Sequence, residues 1–195
     1  MKFLGAALVA ATLFSAAPAG AAVVISVSAR DNSTTGGTAA ATGLSFAAGQ
    51  RFRITSSTND LWSAGALPRF SDANGLVANR FATAADDSGQ LVGTLIGQNF
   101  GSHSQGNLSA PFGSLVAVLG GNQFQLLGAN GIFTSQGGPL NLAYFDSNSG
   151  DNFGAISFTI SAVPEASTWA LMIAGFGMVG AGMRTRRKVR VAFAA

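Results

Sequence analysis

The most polar segment of the chain runs from Asp146 to Asn152 and reads Asp-Ser-Asn-Ser-Gly-Asp-Asn. Its two carboxylates, on Asp146 and Asp151, are separated by a turn-forming stretch, and Asn148 and Asn152 add two side-chain amides. Ca²⁺ binds about six to eight oxygens of these kinds when a tightly curved segment brings them together. The segment therefore predicts a calcium site whose ligands are Asp146, Asp151, Asn152 and Asn148.

The same seven residues have a second interpretation, because Asn, Asp, Ser and Gly are also the residues that form turns. Composition alone leaves open an ordinary hairpin loop that binds no metal. In either case two strands must hold the loop. Residues 140–145 precede it, and residues 155–161 follow it with Ile156, Phe158 and Ile160 on one face, as expected of a half-buried strand.

The rest of the body continues this pattern of short strands and glycine-rich loops. Further strands are predicted at residues 23–28, 44–46, 51–56, 90–96, 114–119 and 123–127, with loops at 31–38 and 128–138. The many Gly and Ser residues would also fit a disordered chain, but apolar residues recurring at strand spacing argue against disorder. We predict an all-β fold, an antiparallel jelly-roll-like β-sandwich over residues 22–162.

The charge of this body excludes one class of partner. Residues 22–163 contain five arginines and seven aspartates and no lysine or glutamate, which gives a formal charge of −2. Most of the remaining basic residues of the chain lie near its C-terminus. Because the body carries no basic stripe, we expect no nucleic-acid partner. The chain has no cysteine, so burial must stabilise the fold.

Few other residues of the body could carry chemistry. His103 is the only histidine and lies in a polar linker, residues 101–106, so neither a Ser-His-Asp triad nor a histidine zinc site is supported. Asp86 and Asp87 are either a carboxylate pair or a solvated turn, and Trp62 is either a platform for a sugar ring or a core residue. We therefore expect a protein that is not an enzyme.

Three segments of the body, residues 113–120, 124–128 and 138–160, together resemble the PA-IL-like galactophilic lectins. This resemblance implies a small β-sandwich that binds Ca²⁺ and, through the metal, the hydroxyls of a sugar. By position it implies Asp146, Asp151 and Asn152 as side-chain ligands.

The resemblance also implies that a backbone carbonyl near Asn148 or Ser149 binds the metal. The chain departs from the family pattern at Phe145 and Phe153. It also has no histidine in residues 71–75, where that family places a sugar-contacting one.

The N-terminus has the pattern of an export signal. Lys2 is followed by the apolar run Phe3–Phe14, which is about a dozen residues long and too short to span a bilayer. Ala19-Gly20-Ala21 fits a cleavage site, with cutting between Ala21 and Ala22. We predict a helical signal peptide over residues 1–21, and the alternative is a buried N-terminal strand or helix.

The C-terminus, residues 163–190, combines a short polar motif, an apolar span and a basic cluster. The cluster comprises Arg184, Arg186, Arg187, Lys188 and Arg190. This order predicts a transmembrane helix whose positive end stays on the cytoplasmic side. An ordinary membrane anchor would show the same order, but the span from Trp169 to Met183 falls short of the roughly 20 residues that crossing requires. The short span favours a transient anchor.

The same region resembles the PEP-CTERM sorting signal in its PEPxxWA variant, through Pro164-Glu165, Trp169-Ala170 and the arginines. Ala166 stands where that motif has its second proline. The resemblance implies a Gram-negative source and an exosortase-like processing transpeptidase that recognises Pro164-Glu165 and removes the tail beyond it.

Together these features predict a non-catalytic protein that is exported through the inner membrane. We expect the C-terminal helix to anchor it transiently in the membrane, after which it resides at the cell surface or outside the cell. We expect the body to bind a glycan or exopolysaccharide through Ca²⁺. The alternative is a structural matrix protein with no ligand site, and a secreted hydrolase would need an acid–base pair that the sequence lacks.

Overall fold

The structure is a computed structural model that describes residues 22–164 and 166–185. The predicted signal peptide with its cleavage residue Ala21 lies outside the described residues. So do Glu165 of the sorting motif and four residues of the basic cluster, Arg186, Arg187, Lys188 and Arg190.

The described part of the body is built from short strands. In chain order they are β1 (Val23–Ser28), β2 (Ala40–Phe46), β3 (Arg51–Thr55), β4 (Trp62–Ser63), β5 (Phe70–Ser71), β6 (Arg80–Phe81), β7 (Leu95–Gly97), β8 (Ser102–Gln105), β9 (Leu108–Pro111), β10 (Ser114–Gly120), β11 (Gln123–Leu126), β12 (Asn130–Thr134), β13 (Gly138–Phe145) and β14 (Phe153–Ala162).

Two antiparallel sheets form the sandwich. One has the order β12, β3, β14, β4, β5, with β1 also paired to β14, and the other has the order β11, β10, β13, β2. The long strand β14 pairs with β4 at its start and with β1 and β3 further along. The predicted antiparallel β-sandwich is therefore confirmed.

The core lies between the two sheets because alternate residues of their strands point inward. In β14, Ile156, Phe158 and Ile160 are fully buried, while Ser157 between them is exposed. The opposite sheet contributes residues of β10 and β13 to the same cluster, namely Leu115, Ala117, Leu140, Leu142 and Tyr144. Trp62 is also fully buried there, with its ring 4.7 Å from that of Tyr144, which makes it a core residue.

The outer face of the second sheet is buried as well. Val116, Ala143 and Phe145 point away from the main core and form a smaller cluster with Ala110 of β9 and Phe124 of β11. The β8–β9 hairpin supplies part of this cover, and its residues pair in register from Ser102 to Pro111.

This hairpin contradicts the expectation of a polar linker over residues 101–106. His103 lies in β8, with its ring centre 5.0 Å from that of Phe145 and 5.4 Å from that of Phe112. The polar composition of the segment was misleading because only alternate residues of β8 turn toward the sheet, and the others are exposed.

A second correction concerns residues 128–138, which were predicted to be a loop. Residues 130–134 form the edge strand β12, paired with β3 from Asn130 opposite Thr55 to Thr134 opposite Arg51. Phe133 anchors this strand, since its ring lies 5.9 Å from that of the buried Phe52. The glycines that flank the strand on both sides gave it the composition of a loop.

The C-terminal segment forms one helix, α1 (Ala166–Thr185), and belongs to a separate compact unit from the β body. The helix begins two residues after Pro164, and Arg184 lies in its last turn, where a positive charge complements the helix dipole. Large apolar side chains such as Ile173, Phe176 and Met178 are exposed. Over residues 22–164 and 166–185, no helix is both long and apolar enough to cross a membrane.

Candidate metal and ligand site

The segment 146–152, here called the acidic loop, carries the chain from β13 in one sheet to β14 in the other. The residues that follow β1 hold it in place. The hydroxyl of Thr34 donates to the backbone carbonyl of Asp146 over 3.2 Å, and Arg30 donates to the carbonyl of Gly150. The loop is therefore fixed by both sheets and by the segment after β1.

Asp146 and Asn152 form the buried base of the acidic loop. Asp146 is 4% exposed and Asn152 is 1% exposed. The side-chain amide of Asn152 donates to the backbone carbonyl of Ala29 over 3.1 Å, but its Oδ1 atom accepts no hydrogen bond. A buried acceptor without a partner costs about 1–3 kcal/mol. The described residues therefore leave this buried oxygen unsatisfied.

The folded state disfavours ionisation of Asp146. Burial raises the pKa of its carboxyl, and the nearby charge of Asp151 acts in the same direction. Hydrogen bonds from the side chain of Asn152 and from the backbone N–H of Ser147, the latter 2.7 Å from Oδ1, oppose the rise only in part. A bound cation would lower the pKa of both carboxyls, because it favours their charged form.

Asp151 and Asn148 lie at the rim of the loop. The side chain of Asp151 is 50% exposed, and its Oδ1 accepts a 2.9 Å hydrogen bond from the amide of Asn148. The Oδ1 atom of Asn148 already accepts from the backbone N–H of Gly150 over 3.0 Å. Asn148 therefore braces the loop with both ends of its side chain, and its backbone carbonyl is the atom left for a ligand.

The turn between β4 and β5 forms the opposite wall. The backbone N–H of Ala64 donates to the carbonyl of Arg69, and Gly65 adopts a φ of +122° in this turn. A Cβ atom on Gly65 would lie 2.6 Å from Oδ2 of Asp151 and 3.5 Å from Nη1 of Arg69. The missing side chain therefore leaves open the space between these two charged groups.

An open cleft of about 190 Å³ separates the acidic loop from this turn. Its lining comprises Ala64, Arg69, Phe100, Phe112, Asp146, Ser147, Asn148 and Asp151. Two carboxylates, one guanidinium and two aromatic rings thus face a common space. Such a mixture of charged groups and apolar rings suits a polar ligand with some apolar surface.

The residues present fit a calcium ion. The acidic loop supplies two carboxylates, a buried amide oxygen without a partner and backbone carbonyls, which are the hard oxygen donors that Ca²⁺ prefers. Among the described residues, no group of three or more His, Cys, Asp or Glu side chains could hold a metal. The nitrogen and sulfur ligands of a typical zinc site are thus not assembled in this part of the chain.

The other carboxylates of the body have structural roles. Asp86 accepts hydrogen bonds from Thr83 and Ser88 within one turn, and Asp87 accepts one from the backbone N–H of Leu61. Asp72 is paired with Arg80 at 2.7 Å. The solvated-turn interpretation therefore describes Asp86 and Asp87 better than a reactive carboxylate pair.

Sequence reasoning did not single out Gly65, Arg69 or Phe100 as site residues. They lie in the irregular stretch 62–87 and just before β8, far in sequence from the acidic loop. Pairing of β4 with the first residues of β14, Trp62 opposite Gly154 and Ser63 opposite Phe153, brings the turn beside the loop. The only sequence signal was Arg69 itself, one of five arginines in the body.

Comparison with known proteins identifies the C-terminal segment. Residues 162–188 match the PEP-CTERM protein-sorting motif, so the chain carries this motif. The predicted sorting signal is thereby confirmed, and with it export and a membrane-anchored sorting step.

For the body, a solved structure described as the N-terminal domain of EclA, a PllA-like lectin, is similar at 21% sequence identity. The alignment covers 72% of this chain and 96% of that chain, with a TM-score of 0.45. No curated protein matches the chain.

The raised pKa of Asp146 gives a prediction for the calcium-free protein. The folded state holds the proton of Asp146 more tightly than the unfolded state, so the contribution of this group to stability falls as pH rises from about 4 through the folded pKa. We expect Asp146→Asn to reduce the loss of stability with rising pH and to raise the melting temperature at pH 7 in EDTA. The melting temperatures of both proteins are measured from pH 4 to pH 8.

The control for this experiment is Asp86→Asn. Hydrogen bonds from Ser88 and Thr83 outweigh the effect of burial and hold the pKa of Asp86 at about 2. Its stabilising contribution is fully present at pH 7, so this substitution should lower the melting temperature. If Asp146→Asn lowered the melting temperature at pH 7, this would contradict the claim that the ionised carboxyl destabilises the calcium-free protein.

Proposed function

We propose that this protein is an exported, non-catalytic, calcium-dependent carbohydrate-binding protein. In this proposal Asp146, Asp151 and the Oδ1 atom of Asn152 hold Ca²⁺, together with backbone carbonyls of the acidic loop. The bound ion supplies positive charge that attracts vicinal sugar hydroxyls. The wall formed by Phe100 and Phe112 packs against the apolar part of the ligand.

The unpartnered Oδ1 atom of Asn152 is the observation that carries this proposal. A simple hairpin loop would leave this buried amide oxygen without a donor beside a buried carboxylate. A cation at this position offsets two costs together, the unsatisfied acceptor and the ionised Asp146. The competing proposal is a structural matrix protein with no ligand site. In that protein the unsatisfied acceptor and the ionised Asp146 would both continue to destabilise the folded state.

A calcium titration separates these two proposals. At a calcium concentration 100 times the dissociation constant, the ion stabilises the folded state by about 2.7 kcal/mol. For a domain of this size we expect the melting temperature to rise by about 10 °C. Magnesium should have a smaller effect, because it requires a smaller and more regular shell of oxygens.

One exposed carboxylate, on Asp151, and one half-buried carboxylate, on Asp86, provide the matched variants. Asp151→Asn removes a proposed ligand at the half-exposed rim of the loop and should abolish most of the calcium-induced shift. Asp86→Asn makes the same chemical change elsewhere and should preserve the shift, whatever its starting melting temperature. A purified protein that gains no stability from calcium would contradict the proposal and favour the structural matrix protein.

We also propose that an exosortase-like transpeptidase recognises Pro164-Glu165 and removes the helix that follows. The sorting motif supports a membrane-anchored step, and α1 begins directly after the proposed recognition residues. The exposed apolar side chains of α1 suit a segment that enters a lipid or protein environment during sorting. The mature protein would then leave the membrane for the cell surface or the medium.

The double substitution Pro164→Ala and Glu165→Ala tests this step in a host that contains the sorting system. We expect the chain to accumulate in the membrane fraction with its C-terminal segment attached, as measured by intact-mass spectrometry. The variant Asp86→Asn, whose substitution lies in the body, should be processed as the unchanged protein is. Release of a shortened double variant at the normal rate would contradict this role of Pro164-Glu165.

A further inference from the structure

Arg69 lines the cleft, and most of its hydrogen-bond donors have no partner among the described residues. Its Nη1 atom donates to the carbonyl of Ala64 over 3.4 Å and lies 4.0 Å from Oδ2 of Asp151. A guanidinium has five N–H donors, and those on Nε and Nη2 have no partner among the described residues. With its side chain 36% exposed, Arg69 can accept a ligand from solvent without breaking a strong contact.

An aromatic ring fixes the position of this guanidinium. The Cζ atom of Arg69 lies 4.2 Å from the centre of the Phe100 ring, and Phe100 contacts Phe112 edge-on with ring centres 5.3 Å apart. Stacking on an aromatic face orients the planar guanidinium, so less conformational entropy is lost when it binds. The pair with Asp151 is long and half-exposed, and such pairs contribute little.

The net charge of the cleft changes sign when calcium binds. Its charged lining residues are two carboxylates and one guanidinium, Asp146, Asp151 and Arg69, which give a formal net charge of −1. A bound Ca²⁺ would change the net charge to +1. The cleft therefore repels anions without calcium and attracts them with it, and Arg69 is the donor that an anion would meet.

We propose that the cleft selects saccharides that carry an anionic substituent, with Arg69 binding a carboxylate or sulfate while the calcium ion binds ring hydroxyls. This inference rests on the proposed function and adds the ligand class to it. The planar guanidinium matches a carboxylate or a sulfate through two parallel hydrogen bonds, which a neutral hydroxyl cannot make. Calcium and acidic sugar then bind cooperatively, since each reduces the charge repulsion that the other meets.

The test compares pairs of sugars in which one member carries an anionic group and the other is neutral. Glucuronate, galacturonate and mannuronate, each beside its methyl ester, are titrated into the purified protein in calcium, and galactose 6-sulfate beside galactose forms the sulfate arm. At least one acid should bind about tenfold or more tightly than its neutral partner, as a charge-assisted pair of hydrogen bonds implies. The preference should disappear in EDTA.

Two arginine variants test whether Arg69 causes the preference for the acidic sugar. Arg69→Met keeps an apolar stem over Phe100 and removes the charge, so it should make the acid and its neutral partner bind equally. Arg53→Gln changes an exposed arginine of β3 and should preserve the preference. Melting curves with and without calcium establish that each variant is folded and still holds the ion.

The outcomes separate the inference from the proposed function. If calcium stabilises the protein and neutral sugars bind as tightly as acidic ones, the inference is overturned and the proposed function stands. The inference is also overturned if Arg69→Met keeps the preference or if the acid binds equally in EDTA. If neither calcium nor any sugar binds, both the proposed function and the inference fail.

Discussion

Burial of Asp146 and Asn152 where the chain crosses from one sheet to the other is the constraint on which the site depends. The crossing places a carboxylate and an amide in the protein interior, where each needs partners. The backbone N–H of Ser147 and the carbonyl of Ala29 satisfy part of this need, and Oδ1 of Asn152 remains without a donor. The proposed calcium ion would complete this shell of partners.

The second wall of the cleft follows from strand pairing. Because β4 pairs with the start of β14, the turn that contains Gly65 and Arg69 lies directly beside the acidic loop. A side chain at residue 65 would close the gap, so the cleft depends on glycine there. The acidic loop is negatively charged, and the turn that contains Arg69 is positively charged. A calcium ion bound by the acidic loop would remove the repulsion that otherwise keeps anions away from Arg69.

Much of the fold followed from the sequence, because β14 alternates between apolar and polar residues and β13 ends in an apolar run. The acidic loop was located by composition alone, since turn residues between two such strands have few other placements. The strands β8 and β12 were missed because their residues are polar or glycine-flanked. Only the folded structure shows that β8 packs on Phe145 through His103 and that β12 pairs with β3 at a sheet edge. Arg69 could not be predicted, because its position depends on a pairing between strands about 90 residues apart in the chain.

A crystal structure grown in calcium, with the anomalous signal of the ion measured, tests the central claim most directly. The account predicts one calcium peak within about 2.3–2.6 Å of a carboxylate oxygen of Asp146, a carboxylate oxygen of Asp151 and Oδ1 of Asn152. An acidic loop with no such peak, and with Oδ1 of Asn152 accepting a hydrogen bond from the protein, would contradict it.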